Sequence, residues 1–243
     1  MPAPTIGFIY PDHAAEDDYP RAEALLDARL PVAHIYGTDL HAVPELLDLG
    51  SPEKLRHGAA QLAPYRPDAV VWACTSGSFV YGPAGAREQV RGLSEAAGVP
   101  ASSTSFAFVA AARALGVRRV AVAASYPEEV ARLFADFLAD AGITVAGFAS
   151  AGIETAAEVG TLDAGQVLEL ARADDHPEAE ALLIPDTAMH TLEVLPRLEA
   201  TLGKPVLTAN QVTIWEGLRL AGVARTSPAL GTLFAERPAY VGS

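Results

Sequence analysis

The chain has 243 residues, half of them hydrophobic, so it can bury a large core as one large domain or two small ones. Seventeen Lys and Arg against 30 Asp and Glu give a formal net charge of −13, which opposes nucleic acid and anionic membranes as partners. The N-terminal residues lack the pattern of a signal peptide, and no segment is apolar enough to predict a bilayer span. We therefore expect a cytoplasmic location.

The chain contains one cysteine, Cys74, and two lysines, Lys54 and Lys204. One cysteine excludes an internal disulfide and any zinc or iron–sulfur site that needs several thiolates. Lys54 lies in a polar segment typical of a solvated helix start, and Lys204 lies in a Gly-Lys-Pro turn. The sequence therefore argues against a buried Schiff-base lysine and against pyridoxal phosphate chemistry.

Short apolar segments, several of them rich in Val or Ile, predict seven strands. These strands are 5–10, 33–36, 69–74, 119–124, 144–149, 181–184 and 205–208. Helical periodicity separates them, and the apolar residues of 129–141 recur on one face. Pro52 after Ser51, and Pro127 after Ser125, predict helix starts with a hydroxyl cap and a first-turn proline. The alternation predicts an α/β fold with parallel strands and helical crossovers.

Cys74 lies where the buried strand 69–74 meets the next loop. In parallel α/β folds this end of a strand faces the ligand crevice, where a thiol can take part in chemistry. A free cysteine also often only packs in a core, so both interpretations are open at this stage.

The two halves of the sequence resemble each other. The stretch 98–105 and its following helix, which ends in Leu-Gly-Val, resemble 203–210 and a helix that ends in Ala-Gly-Val. By this logic Cys74 and Asp186, which follow matching strands, are pseudo-symmetry mates that face one cleft. We predict one domain from 1–115 with 212–243 and a second from 116–211. The alternative is that βα units share a pattern without a common origin.

The sequence resembles the aspartate/glutamate racemase superfamily, and within it the branch of arylmalonate decarboxylase and maleate cis-trans isomerase. The resemblance covers nearly the whole chain and is carried by 4–7, 74–78, 113–123, Tyr126 and 203–206. It implies two pseudo-symmetric parallel-sheet α/β domains with the active site in the cleft between them, and neither metal nor cofactor. It also implies that Thr75, Ser76 and Tyr126 bind a carboxylate that becomes an enediolate.

The chain departs from this family pattern at both cysteine positions. Racemases and maleate isomerases of this type carry two facing cysteines, and arylmalonate decarboxylases carry one on the second half. This chain keeps Cys74 on the first half, where decarboxylases have glycine, and has Asp186 in place of the second. Cys74 is then a nucleophile, or an acid that protonates the enediolate from the opposite face. For Asp186 four roles are open. It is a second acid or base, it caps a helix that begins near Thr191, it accepts hydrogen bonds from loop amides, or it orients Cys74.

Further substrate-binding candidates surround these two residues. By resemblance, an apolar pocket is lined by Leu40, Val43, Gly77, Ala156 and Val159, and its small residues leave room for a bulky substituent. Alternatively these positions only pack, and the substrate is a small aliphatic diacid. Asp12, after the first strand, is expected at the cleft rim, and Thr187 and Ala188 follow Asp186 into the site.

The longest matching stretches point to a carboxy-lyase, so decarboxylation of a substituted malonate, with protonation by Cys74, ranks first. Maleate-type isomerisation with Cys74 as nucleophile ranks second, beside a racemase-like enzyme or one related to ectoine breakdown. A carboxylate-binding protein without turnover is the alternative from another class. In each case the expected partner is a small carboxylate or dicarboxylate, and the oligomeric state stays open.

Overall fold

A computed structural model describes residues 3–235 of the chain. Within these residues, eight strands form two parallel four-stranded sheets. The first sheet contains β1 (Ile6–Pro11), β2 (Val32–Ile35), β3 (Ala69–Trp72) and β4 (Ala101–Ser103). The second contains β5 (Arg119–Ala124), β6 (Thr144–Ser150), β7 (Ala181–Ile184) and β8 (Val206–Thr208).

The two sheets have the same topology. The spatial order is β2-β1-β3-β4 in the first and β6-β5-β7-β8 in the second, so each strand has a counterpart four strands later. This repetition confirms the predicted α/β class with two pseudo-symmetric halves. Cys74 follows β3 and Asp186 follows β7, which hold matching places in their sheets.

Helices connect the strands and cover the sheets. They are α1 (Asp18–Leu26), α2 (Val43–Leu49), α3 (Pro52–Leu62), α4 (Ser76–Phe79), α5 (Gly82–Ala97), α6 (Thr104–Leu115), α7 (Glu128–Asp140), α8 (Ala156–Val159), α9 (Ala164–Ala173), α10 (Leu195–Leu202) and α11 (Ala209–Leu220). Helix α7 matches the predicted 129–141 within one residue, and its apolar stripe is buried. Among residues 3–235, no helix combines the length and hydropathy that crossing a membrane requires.

The central strands β3 and β7 are completely buried, as their uninterrupted apolar sequences predict. Helices α6 and α11, counterparts in the two halves, pack on each other, and Thr104 and Thr213 join them by a 2.7 Å hydrogen bond between hydroxyls. Helix α11 also packs on β1 and β3 of the first sheet. The division into 1–115 with 212–243 and 116–211 stays a prediction, and 236–243 lie outside the described residues.

One strand was missed, and two local expectations were wrong. Strand β4 was not predicted, because its sequence Ala-Ser-Ser has no apolar run. The helix after Asp186 begins at Leu195, so it starts too far along the chain for Asp186 to cap it. Ser51 and Ser125 precede helices as predicted but make no capping hydrogen bond, and the Ser125 hydroxyl donates to Asp186 instead.

Candidate active site

A cavity of about 240 Å³ lies where the carboxyl ends of the central strands of both sheets meet. Cys74 and Ser76 line it from the first half, and Asp186, Thr187 and Ala188 line it from the second. Ligands bind at the carboxyl ends of strands in parallel α/β folds, so this cavity is the candidate active site.

The Cys74 side chain is held at the start of the loop after β3. Its sulfur accepts the Gly77 backbone N–H at 3.3 Å and lies 3.7 Å from the Ser76 Oγ. Burial raises the pKa of the Cys74 thiol to about 11, and the Asp186 carboxylate adds to the rise, although the Gly77 and Ser76 donors lower it. At neutral pH the site therefore holds a neutral thiol that can donate a proton.

The Asp186 side chain occupies the matching place after β7 and is 3% exposed. Its Oδ1 accepts the Ala188 backbone N–H at 2.9 Å, and its Oδ2 accepts the Ser125 hydroxyl. Two donors thus fix a carboxylate that is almost completely buried. Of the roles considered from the sequence, the contact with a loop amide is present.

Hydroxyl side chains stand on the two residues that follow Cys74 and on Tyr126. Thr75 is completely buried, and its Oγ1 has no hydrogen-bond partner among the described residues. The Tyr126 hydroxyl donates to the Pro185 carbonyl at 2.7 Å. Burial raises the pKa of Tyr126 well above its ordinary value, with Asp186 and Cys74 adding to the rise, so the phenol stays protonated. Ser76 lies directly on the cavity.

The remaining predicted site residues divide into two groups. Those that line the cavity are Asp12, Leu40, Ala156, Thr187 and Ala188. Those that do not line it are Thr75, Tyr126, Val43, Gly77 and Val159; the last is completely buried in the second-half core. Gly77 lies so close to the site that an added Cβ would meet the Cys74 sulfur at 3.1 Å. Their roles in binding stay predictions.

Sequence reasoning missed His41, which lines the same cavity. Its side chain is 5% exposed, and its Nε2 lies 3.9 Å from the Asp186 Oδ2. Its Nδ1 lies 3.1 Å from the Ile153 carbonyl, and its ring meets the Tyr126 ring edge to face at 4.9 Å. A single histidine in a loop has no sequence pattern that marks it, and only the contact with the second half identifies it.

A cluster of His13, Glu16 and His34 at the cavity rim has ligand atoms within 4.8 Å of one another. One nitrogen of each histidine already bonds within the protein: His13 Nδ1 to Glu16 at 2.6 Å, and His34 Nδ1 to the Asp12 carbonyl at 2.7 Å. The two imidazole rings are stacked, with centroids 4.1 Å apart, so they do not aim their nitrogens at a common point. We assign no metal to this cluster.

Two repeated α/β halves with functional side chains on matching loops, around one cavity between them, define the aspartate/glutamate racemase-like class. Comparison with known proteins identifies the family within this class. Residues 50–234 match the family described as arylmalonate decarboxylase. The chain belongs to the arylmalonate decarboxylase family.

Relatives include both a decarboxylase and an isomerase. Arylmalonate decarboxylase from Bordetella bronchiseptica is 33% identical over 237 residues, which cover 96% of this chain and 97% of that protein. Maleate isomerase from Nocardia farcinica is 26% identical over 189 residues, which cover 75% of each chain.

One solved structure is an arylmalonate decarboxylase in its liganded form, with one glycine replaced by cysteine and one cysteine by serine. Its sequence is 29% identical to this chain. The superposition has a TM-score of 0.84 and covers 97% of this chain and all of that one. The present chain is thus an enzyme of this branch with a small-molecule substrate. At these identities the relatives do not decide between decarboxylation and isomerisation.

Proposed function

We propose that this enzyme decarboxylates a substituted malonate and that Cys74 protonates the intermediate. The observation that carries the proposal is the state of the thiol: Cys74 lines the cavity, and burial raises its pKa to about 11. A group with such a pKa is an acid at neutral pH, and the proposed reaction needs an acid at the end and no nucleophile at the start.

The proposed step breaks the bond between the α-carbon and one carboxylate. CO₂ leaves, and the electron pair passes into the remaining carboxylate, which becomes an enediolate with a second negative charge. Neutral donors in a site that excludes water stabilise such a charge best, and one donor is worth about 3–4 kcal/mol. Ser76, which lines the cavity, and the unpartnered Thr75 hydroxyl are the candidate donors. Tyr126 would join them only by releasing the Pro185 carbonyl, to which its hydroxyl donates.

The Cys74 S–H then gives its proton to the α-carbon, and the resulting thiolate is reprotonated from water. The Gly77 N–H, 3.3 Å from the sulfur, stabilises this thiolate while it lasts. Because the thiol lies on the first half, the proton arrives from the opposite face to that used by a second-half cysteine. The product of a prochiral substrate therefore has the opposite configuration.

Maleate-type isomerisation is the second candidate, and the maleate isomerases among the relatives favour it. This reaction needs the thiolate to add to a double bond. A thiol with a pKa of about 11 is ionised only about once in ten thousand molecules at pH 7, which disfavours the addition in the free enzyme. A racemase-like reaction, an ectoine-related substrate and binding without turnover lack a supporting observation of their own.

Proton NMR in D₂O tests the proposal. The purified enzyme is incubated separately with methylphenylmalonate, phenylmalonate and maleate, with Cys74→Ala and Cys74→Ser as matched variants. We expect 2-phenylpropionate whose methyl signal is a singlet, because the α-position carries deuterium, and at least a hundredfold slower formation by either variant. Circular dichroism checks that the variants stay folded.

The other outcomes are equally decisive. Fumarate formed from maleate, without decarboxylation, would establish the isomerase. Unchanged rates in both Cys74 variants would exclude the thiol as the proton donor. The absence of product from all three compounds would contradict the proposed substrate class.

A further inference from the structure

The walls of the cavity carry negative charge and lack any fixed positive charge. Asp12, Asp39 and Asp186 line it, and no Lys or Arg of residues 3–235 does. A malonate brings two further negative charges into this space. Because carboxylates repel each other strongly where water is scarce, an unpaired Asp186 carboxylate would oppose the binding of a dianion.

Among residues 3–235, the lining side chains that can become cationic are the histidines His13 and His41, and they differ in placement. His13 is 55% exposed and is already paired with Glu16 at 2.6 Å, so its charge is both screened and balanced. His41 is 5% exposed and faces Asp186, whose Oδ2 lies 3.9 Å from its Nε2. Its charge would act inside the cavity.

The position of His41 is fixed by contacts with the second half. Leu40 forms an antiparallel bridge with Thr155, and the His41 backbone N–H donates to the Glu154 carbonyl at 2.7 Å. The Nδ1 lies 3.1 Å from the Ile153 carbonyl, which can only accept, so Nδ1 carries a proton. The remaining nitrogen, Nε2, is thereby directed toward Asp186.

We propose that His41 binds as an imidazolium paired with Asp186 and supplies the positive charge that admits a dicarboxylate. This inference rests on the proposed function and names a binding residue for the same site. The pair makes the second-half wall of the cavity neutral, which Asp186 alone would not. The proposal also gives a role to Asp186, which replaces the second cysteine: its carboxylate holds the cationic imidazole in place.

Equilibrium binding tests this inference without turnover, so it can fail independently of the decarboxylase proposal. The probes are phenylsuccinate, a dianion that lacks two carboxylates on one carbon, and 2-phenylbutyrate, a monoanion of similar size. Isothermal titration calorimetry at pH 7 measures the affinity of each probe for the wild type, His41→Gln, Asp186→Asn and the double variant. His57→Gln, on the exposed surface of α3, is the matched control.

We expect His41→Gln to weaken phenylsuccinate binding at least tenfold and 2-phenylbutyrate binding less than threefold, because a carboxylate then stands unpaired beside the ligand. Adding Asp186→Asn should restore the phenylsuccinate affinity to within about threefold of wild type. His57→Gln should not weaken it, because His57 does not line the cavity.

Three results would overturn the inference. The first is a wild type that binds phenylsuccinate no more tightly than 2-phenylbutyrate. The second is a His41→Gln variant whose affinity for both ligands falls equally. The third is a double variant in which the losses of affinity of the two single variants add. The last two would identify His41 as a residue that only supports the fold around the cavity. Thermal unfolding of all five proteins shows whether a loss reflects instability.

Discussion

The proton on Cys74 is held by the surroundings of the sulfur. Burial raises the pKa to about 11, and the Asp186 carboxylate on the opposite wall acts in the same direction. The thiolate formed during turnover is therefore a strong base, and reprotonation before the next cycle is favourable. An exposed cysteine would titrate about two units lower and would also be open to oxidation.

Alkylation by iodoacetamide reports this pKa, because only the thiolate reacts. We expect the rate for the folded protein to keep rising between pH 8 and pH 10.5. For the unfolded protein, the control, the rate should level off by about pH 9.5. A folded-state plateau at or below about pH 9.5 would contradict the raised pKa of the Cys74 thiol. Since Cys74 is the chain's one cysteine, the label reports a single site.

The sequence could predict Cys74 and Asp186 because each directly follows a buried strand, and strand ends meet at the cleft in this class of fold. His41 could not be predicted in this way. It lies in a loop before α2, and its contacts are with Ile153 and Glu154, more than a hundred positions later. No local pattern encodes a partner at that distance.

At the scale of elements, the loop that carries Cys74 is supported by a close approach of α2 to α4. Gly50, at the end of α2, lies so near that an added Cβ would stand 2.2 Å from the Gly77 carbonyl oxygen. The Gln89 side chain on α5 donates to both glycine carbonyls at 2.8 Å, which joins the three helices. This arrangement fixes the backbone from which Gly77 donates to the sulfur.

We expect Gly50→Ala to lower the free energy of unfolding by about 1–3 kcal/mol, the usual cost of overpacking, and to reduce turnover. The matched control is Gly92→Ala on α5, where an added Cβ meets nothing within 4 Å. That substitution should stabilise by roughly 0.5–1 kcal/mol, since alanine favours the helix over glycine. Urea unfolding and turnover are measured for both. If Gly50→Ala and Gly92→Ala changed the free energy of unfolding equally, the contact between α2 and α4 would not be tightly packed.

The strands show where sequence patterns succeed and fail at this scale. Apolar sequences predicted β5 and β7 to the residue, because burial on both faces demands such residues. Strand β4 was missed because its hydroxyls are satisfied inside the fold: Ser103 bonds to Ser78 at 2.8 Å. A polar strand of this kind is recognisable only from its apolar counterpart, β8, in the second half.

At the scale of the whole molecule, buried polar side chains join the two halves behind the cavity. Asn210 on α11 donates to the Asp18 carboxylate at 3.0 Å and to the Thr187 carbonyl at 3.2 Å. The Tyr10 hydroxyl also donates to the Thr187 carbonyl, at 2.7 Å. These hydrogen bonds connect the loop that carries Asp186 to the first half. The position of Asp186 therefore depends on the relative placement of the two halves.

Asp18 makes this connection sensitive to pH. Burial raises its pKa from 3.8 to about 6, although Asn210 and the Thr191 N–H lower it; the nearby Asp17 raises it and His190 lowers it. The folded state therefore holds a proton that the unfolded state releases, so the contribution to stability is complete below pH 4 and is lost as the pH rises through 6.

Replacing Asp18 with a neutral amide should remove this dependence. We expect the free energy of unfolding of the wild type, relative to Asp18→Asn, to fall by about 2.4 kcal/mol between pH 4 and pH 7, which is most of the linkage from a shift of roughly two pKa units. Urea unfolding at intervals of half a pH unit measures the difference. Asp27→Asn, an exposed carboxylate just beyond α1, is the control and should follow the wild type throughout. A constant difference between wild type and Asp18→Asn would mean that Asp18 is ionised in the fold at every pH tested. The connection between the halves would then depend on a paired charge.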